Sequence, residues 1–367
     1  MTCGAVAGEI PRFTDEGFRV PQPGREFTFP HAHGGHPDYK IEWWYLTGHL
    51  FGEDRRRFGF QATFFRVGAR PPGEEPAFAS AAFGDGELHM AHMAVIDEAG
   101  GRFVHEERLN RDGAQARASA ETLDVRNGNW TLRMEDPDTE RMRLRFTVRG
   151  GLLADLTLTP EKPLTIFGED GTSRKGTAPT ARSYYLTFTR LAAEGTLETD
   201  GERHTVEGVA WMDHEIASEQ LSPDLEGWDW TAIHLFDGRE IKAYVLRRPD
   251  GSPDPFSSWM WIDESGTVTY LGADDFTWTA ERTWTSPESG TAYPVEVTLA
   301  APDPAADGET VRLRLVPLRD AQEIPGSLGG TTYWEGAMRV LDAAGKTVGH
   351  AYMELVGYDG PVGGRLR

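Results

Sequence analysis

Alternation of apolar and polar residues is the dominant pattern along this chain. Runs in which every second residue is apolar recur from end to end, and this period is typical of β-strands with one buried face. Turn-forming clusters such as Gly52-Glu53-Asp54 and Pro249-Asp250-Gly251 separate the runs, while helical periods are short and few. The pattern predicts an all-β protein whose antiparallel strands close into barrels or pair as sandwiches. The predicted strands cover residues 42–50, 58–66, 143–148, 183–191, 228–235, 241–247 and 311–316.

Internal repetition is the second pattern. Four blocks occur twice in the same order, which indicates a duplicated domain with longer loops in its first copy. We therefore predict two domains, 1–217 and 218–367, with a linker over 218–226. The paired blocks are Trp43-x-Tyr45-x-x-x-His49 with Trp228-x-Trp230-x-x-x-His234, residues 96–100 with 262–266, 143–146 with 312–315, and 208–213 with 349–354.

Composition narrows the class of protein. The 367 residues include 37 basic and 58 acidic side chains, and the resulting net charge of −21 repels nucleic acid and anionic lipid. We expect no nucleic-acid partner and no strong binding to anionic membranes. No apolar run approaches the roughly 18 residues of a membrane helix. The single cysteine, Cys3, excludes an intrachain disulfide and a cysteine zinc site, so packing has to hold the fold.

The first residues leave the localisation open. Residues 1–8 contain no basic segment followed by an apolar run, so no signal peptide is visible. Cys3-Gly4-Ala5 is the residue order found after lipoprotein cleavage, which allows a secreted or lipid-anchored protein with its signal removed. The alternatives are a cytoplasmic protein and a free thiol at Cys3. The oligomeric state is equally open.

Ordered blocks such as Trp211-Met212-Asp213-His214-Glu215 and Tyr333-Trp334-Glu335-Gly336 resemble the carotenoid hydratase (hydroxyneurosporene synthase) and AttH-like family. The resemblance implies two lipocalin-like β-barrels in tandem and an apolar substrate, and it carries over fold better than reaction because the family also includes ring-closing relatives. Two departures are Ile216, where the hydratases have tryptophan, and the missing acid near His31 or His33. The blocks include Glu42-Trp43-Trp44-Tyr45, Trp211-Met212-Asp213-His214-Glu215 and Tyr333-Trp334-Glu335-Gly336.

Three adjacent ionisable residues, Asp213, His214 and Glu215, end a predicted strand. Strand alternation places Asp213 and Glu215 on one face and His214 on the other. The second copy has Glu354-Leu355-Val356 at this place, so only the first copy has the complete triplet. Two interpretations stay open, namely a catalytic group and a polar network that fixes the boundary between the domains.

Aromatic residues alternate with polar ones in two predicted strands. Trp228 and Trp230 share one face with His234, and Asp229 points to the other. Such a face either packs as core or lines an apolar cavity, where indole rings stabilise a developing cation by up to about 2 kcal/mol. The candidate ligand-binding residues are Trp43, Tyr45, Gln61, His89, Tyr184, Trp211, Trp228, Asp229, Trp230 and His234.

A histidine cluster, His31-x-His33-x-x-His36, raises the question of a metal. Three imidazoles can ligate zinc or copper, but no carboxylate falls at a spacing that fixes the geometry. We therefore favour a solvated histidine loop and expect no metal site. His89 belongs to Met-Ala-His-Met, on or near a strand, and is either hydrogen-bonded within the first barrel or in contact with a ligand.

The motifs that would identify several enzyme classes are missing from the sequence. There is no G-x-S-x-G, H-E-x-x-H, Walker or dinucleotide-binding pattern, so no cofactor is expected. The leading hypothesis is a hydratase that adds water to an alkene of an apolar isoprenoid or polyketide. Asp213 or Glu215 is the proposed acid and His214 the base or orienting partner. The alternatives are a non-catalytic lipid or pigment carrier and a cyclisation catalyst, and the pocket is predicted at the boundary between the domains.

Overall fold

The computed structural model describes residues 9–73, 86–328 and 330–363, so Cys3 lies outside the described residues. This part of the chain is built from two large antiparallel sheets, each curled into a barrel-like domain. Its helical segments are short 3₁₀ turns at His31–His33, Glu169–Gly171 and Pro304–Ala306. Within the described residues, no helix has the length and apolar character needed to cross a membrane. The predicted all-β, tandem lipocalin-like fold is confirmed.

The first sheet, barrel 1, has 13 strands. Its main path runs β4-β3-β2-β1-β13-β12-β9-β8-β7-β6-β5, and β10 and β11 pair with β12 off this path. The strands are β1 (Ile41–Gly52), β2 (Arg57–Gly68), β3 (Glu87–Asp97), β4 (Arg102–Arg111), β5 (Ala116–Ala118), β6 (Asp124–Asn127), β7 (Trp130–Asp136), β8 (Arg141–Val148), β9 (Leu152–Pro160), β10 (Thr165–Phe167), β11 (Ser173–Arg174), β12 (Arg182–Thr199) and β13 (Glu202–Ala217).

The second sheet, barrel 2, has 10 strands in the order β17-β16-β15-β14-β23-β22-β20-β19-β18, with β21 beside β22. The strands are β14 (Gly227–Leu235), β15 (Glu240–Arg247), β16 (Ser258–Ile262), β17 (Val268–Gly272), β18 (Thr277–Thr285), β19 (Ala292–Pro302), β20 (Thr310–Pro317), β21 (Glu323–Ile324), β22 (Tyr333–Leu341) and β23 (Thr347–Val356).

The two sheets have the same strand order, as a duplication requires. Strands β1 to β4, β12 and β13 hold the places that β14 to β17, β22 and β23 hold in barrel 2. Three of the four repeated blocks fall on equivalent strands. The pairing of residues 143–146 with 312–315 is wrong, because β9 rather than β8 is the neighbour of β12 that corresponds to β20. Alternating Arg-Leu-Arg sequences are common in exposed strands, so they do not show which strands of the two copies correspond.

Each barrel is filled by its own hydrophobic core. Inward-facing residues of β1, including Trp44 and Leu46, pack with strands β2 to β9 in barrel 1. Trp259, Trp334 and their neighbours fill barrel 2. Side chains fill the interiors of both barrels. The aromatic residues predicted to line a barrel cavity lie instead on the outward faces of their strands.

Those other faces meet between the barrels in a third cluster, which we call the seam. It includes Tyr45, Trp211, Trp230, Tyr333 and Tyr352, drawn from both sheets. Strand β2 comes so close to β22 that a Cβ atom added at Gly59 would lie 2.6 Å from the Cβ of Ala337, which explains the glycine. Hydrogen bonds also cross the seam and join Tyr45 to Glu335, His92 to Tyr333, Arg57 to Met338, His234 to Thr189 and Lys162 to Glu240.

The contacts of Lys162 with barrel 2, which we call the Lys162 clamp, test how much the association of the barrels contributes to the free energy of unfolding. Lys162 is buried, and its Nζ lies 2.6 Å from Glu240 Oε2 and 2.7 Å from the Gly238 carbonyl oxygen in barrel 2. Lys162→Met leaves this carbonyl without its donor and removes one cation from Glu240, so we expect the free energy of unfolding to fall by about 3 kcal/mol. Urea titration measures it, with exposed Lys346→Met as the control. Equal stability of both variants would contradict a clamp.

Candidate functional site

The seam contains an unusual number of ionisable side chains for a dry interface. Strand alternation brings them there, because neighbours such as Trp44 and His214 point into barrel 1 while Tyr45 and Asp213 point out toward barrel 2. Tyr45 lies directly opposite Asp213 in the β1–β13 ladder. The register of the strands therefore sets the positions of Tyr45 and Asp213.

Asp213 is buried and accepts three hydrogen bonds from barrel 1. The donors are Tyr185 Oη at 2.6 Å, Thr187 Oγ1 at 2.6 Å and Trp211 Nε1 at 2.8 Å. Burial raises the pKa of Asp213, and the nearby Lys242 ammonium opposes this shift. Only one bond falls on Oδ2, so this oxygen keeps a lone pair for another donor.

Glu215 lies two residues further along the same face. Its Oε2 is 3.1 Å from Lys175 Nζ and 3.0 Å from Gln220 Nε2, and it also accepts from the Ser183 hydroxyl. Buried ion pairs of this kind persist only when further hydrogen bonds satisfy the carboxylate. Glu215 is thus committed to its partners in barrel 1 and in the segment between β13 and β14.

Lys242 enters the same cluster from β15 of barrel 2. Its Nζ is buried, has no hydrogen-bond partner, and lies 3.1 Å from the centroid of the Tyr185 ring and 4.1 Å from that of Phe167. Burial lowers the pKa of Lys242 to about 7, while Asp213 acts in the opposite direction. An ammonium group placed on aromatic faces is stabilised by cation–π attraction.

Two further carboxyl groups face each other across β22 and β23. Glu335 is paired with Glu354 in the ladder, and Glu335 Oε1 accepts from Tyr45 Oη at 2.6 Å while its Oε2 has no partner. Glu354 Oε2 accepts from Trp228 Nε1 at 2.6 Å. Burial and the neighbouring Glu354 raise the pKa of Glu335 well above its ordinary value, and burial raises the pKa of Glu354 to about 7. This pair holds a proton near neutral pH.

The balance of charges in the cluster supports the conclusion that the Glu335–Glu354 pair holds a proton. In the described part of the chain the cluster sets four carboxyl groups, those of Asp213, Glu215, Glu335 and Glu354, against two ammonium groups, those of Lys175 and Lys242. An interior cannot keep unpaired charges without a large cost, so the excess of carboxyl groups over cations favours a retained proton. No cation lowers the pKa of Glu335, whereas the Lys175 ammonium opposes the rise in the pKa of Glu354.

Most of the sequence-predicted aromatic residues meet in the seam. Trp230 packs edge-on against Tyr45 at 5.3 Å and against Trp211 at 6.3 Å between ring centroids. Trp43 and Trp228 lie at its rim and are partly exposed, as is Glu354, so the cluster reaches solvent on this side. Gln61 Nε2 lies 3.5 Å from Tyr333 Oη, and His234 Nε2 lies 2.9 Å from the Thr189 carbonyl oxygen.

His214 does not join Asp213 and Glu215. It faces barrel 1, stacks on Trp44 and lies 2.8 Å from Glu42 Oε1 through Nε2, so its proposed role as base for a molecule in the seam is wrong. Burial opposes ionisation of Glu42, but His36 and Arg66 hold its pKa well below the ordinary value. Burial lowers the pKa of His214 to about 4, which keeps this ring neutral.

The histidine loop is likewise occupied. His33 Nε2 lies 3.1 Å from Glu140, and His36 Nδ1 lies 2.8 Å from Glu42. His31 is exposed near Glu121. The possible ligand atoms of His36, Glu42 and His214 lie within 4.8 Å of one another, but the two hydrogen bonds on Glu42 Oε1 and the Arg66 ion pair already account for this group.

Three other candidates lie away from the seam. Tyr184 packs with Phe27 and Tyr39 on the opposite face of β12. Asp229 points away from the seam, where Arg247 Nε lies 3.0 Å from it and Tyr358 donates to it. His89 Nε2 lies 3.3 Å from Asp112 near the β4 edge. Each is on the wrong side of its strand to contact a ligand between the barrels, so these three predictions are corrected.

Sequence reasoning missed Lys242, Glu335 and Glu354. The sequence does contain a signal for two of them. Glu354 aligns with Asp213 in the internal repeat, and Glu335 lies inside one of the blocks that resemble the family. Their significance depends on which two sheet faces meet, and periodicity within one strand does not contain that information. Tyr185 was missed in the same way, while its neighbour Tyr184 was chosen.

A surface cleft elsewhere is a weaker candidate. A hollow of about 480 Å³ lies on β7 to β9 and is lined by Arg133, Arg143, Arg145 and Glu135 among others. Arg143 and Arg145 both pair with Asp155, and the arginine side chains there are about half exposed. Exposed, ion-paired guanidinium groups are the ordinary state of a solvated sheet face. This hollow touches none of the seam residues.

Comparison with known proteins assigns the family. A model of AttH-like proteins matches residues 20–358. The chain belongs to the AttH-like family. Among the curated proteins none matches this sequence. The seam residues named above, from Tyr45 to Glu354, all fall inside the matched region.

Solved structures show how far this AttH-like chain resembles others. An AttH-type protein from Nitrosomonas europaea is 34% identical, with a TM-score of 0.80 over 92% of this chain and 98% of that one. Kievitone hydratase from Nectria haematococca is 15% identical, with a TM-score of 0.66 over 94% and 98%. CghA, solved with Sch210972, is 14% identical, with a TM-score of 0.56 over 95% and 98%. The last two show a shared fold.

The raised pKa of Glu354 makes stability depend on pH. Between its ordinary value of 4.5 and about 7 the folded state keeps a proton that the unfolded state has lost, so the free energy of unfolding falls as pH rises through this window. Wild type should lose up to about 2 kcal/mol more than Glu354→Gln between pH 5 and pH 7. Urea titrations at the two pH values measure this difference. Parallel losses in both proteins would show that Glu354 does not hold the proton.

Proposed function

We propose that this protein is a cofactor-independent, hydratase-type enzyme that adds water to a carbon–carbon double bond of an apolar isoprenoid or polyketide held in the seam. The observation that carries the proposal is the Glu335–Glu354 pair, which is hydrogen-bonded to Tyr45 and Trp228 and keeps a proton near neutral pH. Protonated acids in apolar surroundings are how proteins place a proton donor beside a weakly basic substrate. The kievitone hydratase likeness fits this reaction class.

The proton donor in this proposal is Glu354. Its position at the rim beside Trp228 makes it accessible, and burial, together with the nearby Glu215 and Asp213 carboxyl groups, disfavours its ionised form. Glu354 gives its proton to one carbon of the double bond. Glu354 is then ionised. The hydrogen bond between Glu335 and Tyr45 connects this carboxyl pair with barrel 1 across the seam.

The proton acceptor is Asp213. Its Oδ2 has room for one more hydrogen bond, and Tyr185, Thr187 and Trp211 hold the carboxylate in place. Asp213 takes the proton of the water whose oxygen bonds to the second carbon. This reverses the role that the sequence predicted for Asp213 and assigns the acid to the equivalent position of the second copy.

The aromatic rings supply the remaining requirement. During hydration of an alkene, one carbon atom becomes electron-poor. Ring faces within about 6 Å stabilise positive charge by electrostatic attraction. Tyr45, Trp211 and Trp230 are packed edge to face and form a continuous wall beside both carboxyl groups. Proton donor, proton acceptor and apolar wall together require no bound metal or organic cofactor.

Removing either proton-transfer group should reduce turnover. We expect Glu354→Gln and Asp213→Asn each to lower the rate by about 100-fold or more, since positioned acids and bases contribute at least that much. The assay uses an apolar extract of cells that make the protein, incubated in oxygen-18 water, with mass spectrometry to find products that have gained one solvent oxygen. Exposed Glu309→Gln is the matched control and should keep the wild-type rate.

Three results would contradict the proposal. Equal product formation by wild type and both variants would remove these carboxyl groups from the reaction. Stable binding of an extract component without any gain of labelled oxygen would identify a carrier instead of an enzyme. A product with rearranged carbon bonds and no added oxygen would identify a cyclisation catalyst.

A further inference from the structure

Among the described residues of the seam, two hydrogen-bond donors close to each other have no partner. Lys242 Nζ and Trp230 Nε1 are both buried, and neither meets an acceptor. Buried polar groups in native proteins are almost always hydrogen-bonded, so each exception needs an explanation. Neither donor is hydrogen-bonded to a carboxylate of the seam, although Asp213 Oδ2 accepts only one hydrogen bond and Glu335 Oε2 accepts none.

The two donors belong to one surface. Lys242 lies opposite Ala232 and Trp230 opposite Tyr244 in the β14–β15 ladder, which makes Lys242 and Trp230 diagonal neighbours on one face. Such neighbours have Cα atoms about 7–8 Å apart, within reach of a single group between long side chains. Their surroundings are connected, because Phe167 contacts the Lys242 ammonium and stacks on Trp211, and Trp211 packs against Trp230.

From this geometry we infer that the substrate carries an oxygen acceptor, such as a ketone, enone, enol or phenol oxygen, that receives hydrogen bonds from Lys242 Nζ and Trp230 Nε1. The inference rests on the proposed function and narrows it, because it selects oxygenated polyketides and isoprenoids over pure hydrocarbons. A hydrocarbon would leave an ammonium group and an indole N–H buried without partners, at a cost of about 1–3 kcal/mol for each.

An oxygen held there also directs the reaction when the double bond is conjugated to it. Hydrogen bonds to an enone oxygen draw electrons from the double bond toward that oxygen and make the β-carbon electrophilic. The water oxygen bonds to the β-carbon while Asp213 takes its proton, and the α-carbon receives the proton of Glu354. One molecule of water is added, and no oxidant or reductant takes part.

A pair of probes that differ in one carbonyl group tests the inference. trans-Chalcone carries an enone oxygen, and trans-stilbene has the same two phenyl rings without it. We expect wild type to bind chalcone about tenfold more tightly than stilbene in equilibrium dialysis, the ratio that one charge-assisted hydrogen bond supplies. In Lys242→Met and Trp230→Phe the ratio of chalcone affinity to stilbene affinity should fall to near one. Exposed Lys346→Met should keep the wild-type ratio.

The outcomes separate this inference from the proposed function. If wild type binds both probes equally, or if Lys242→Met and Trp230→Phe retain the preference for chalcone, the oxygen subsite is wrong while an apolar site in the seam stands. If neither probe binds wild type, the seam is not a ligand site, and both proposals fail. Stilbene binding reports on the folding of each variant, and Trp230→Phe gives the answer by itself if Lys242→Met does not fold.

Discussion

Removal of carboxyl groups from water at the seam is the constraint on which the rest of the structure depends. A carboxylate buried without compensation costs several kcal/mol, so each one must find a cation, a set of donors or a proton. Asp213 has three donors, Glu215 has Lys175, and the Glu335–Glu354 pair keeps a proton. The positions of Lys242, Tyr185 and Trp228 follow from these needs, and so does the reactivity that we propose.

The same burial explains why two curled sheets behave as one unit. Each barrel has a packed interior and would be complete as a sheet, but its outer face carries groups that are satisfied only by the other barrel. Tyr45 needs Glu335, and Lys162 supplies part of the charge that Glu240 requires. Specificity in the contact between the barrels therefore comes from polar pairing, while aromatic rings such as Trp230 provide the apolar area.

The sequence was sufficient for the fold class, and it named several residues that the structure brings into the seam. Period-two alternation located strands because it is a local property of the chain, and three of the four repeated blocks agree with the shared strand order. Alternation also separated Asp213 from His214 and grouped Trp228 with Trp230. Alternation does not show which face of a strand meets the other barrel. Sequence reasoning therefore names Tyr184 instead of Tyr185, and it includes Asp229, among the candidate ligand-binding residues. Lys242 and Glu335 were missed for the same reason, since contacts between sheets join residues far apart in sequence.

The matching strand order of the two barrels has a consequence for how such a site can change. Tyr45 and Trp230 hold the same place in the two copies and touch each other, as residues on the two-fold axis of a symmetric dimer do. In a homodimer every substitution appears twice, so both halves would carry the same groups. Here the covalent link frees each half to mutate alone, and Asp213 can stand opposite Thr187 while Glu354 stands opposite Glu335. A covalent link between two similar barrels therefore permits a centre whose two halves carry different groups.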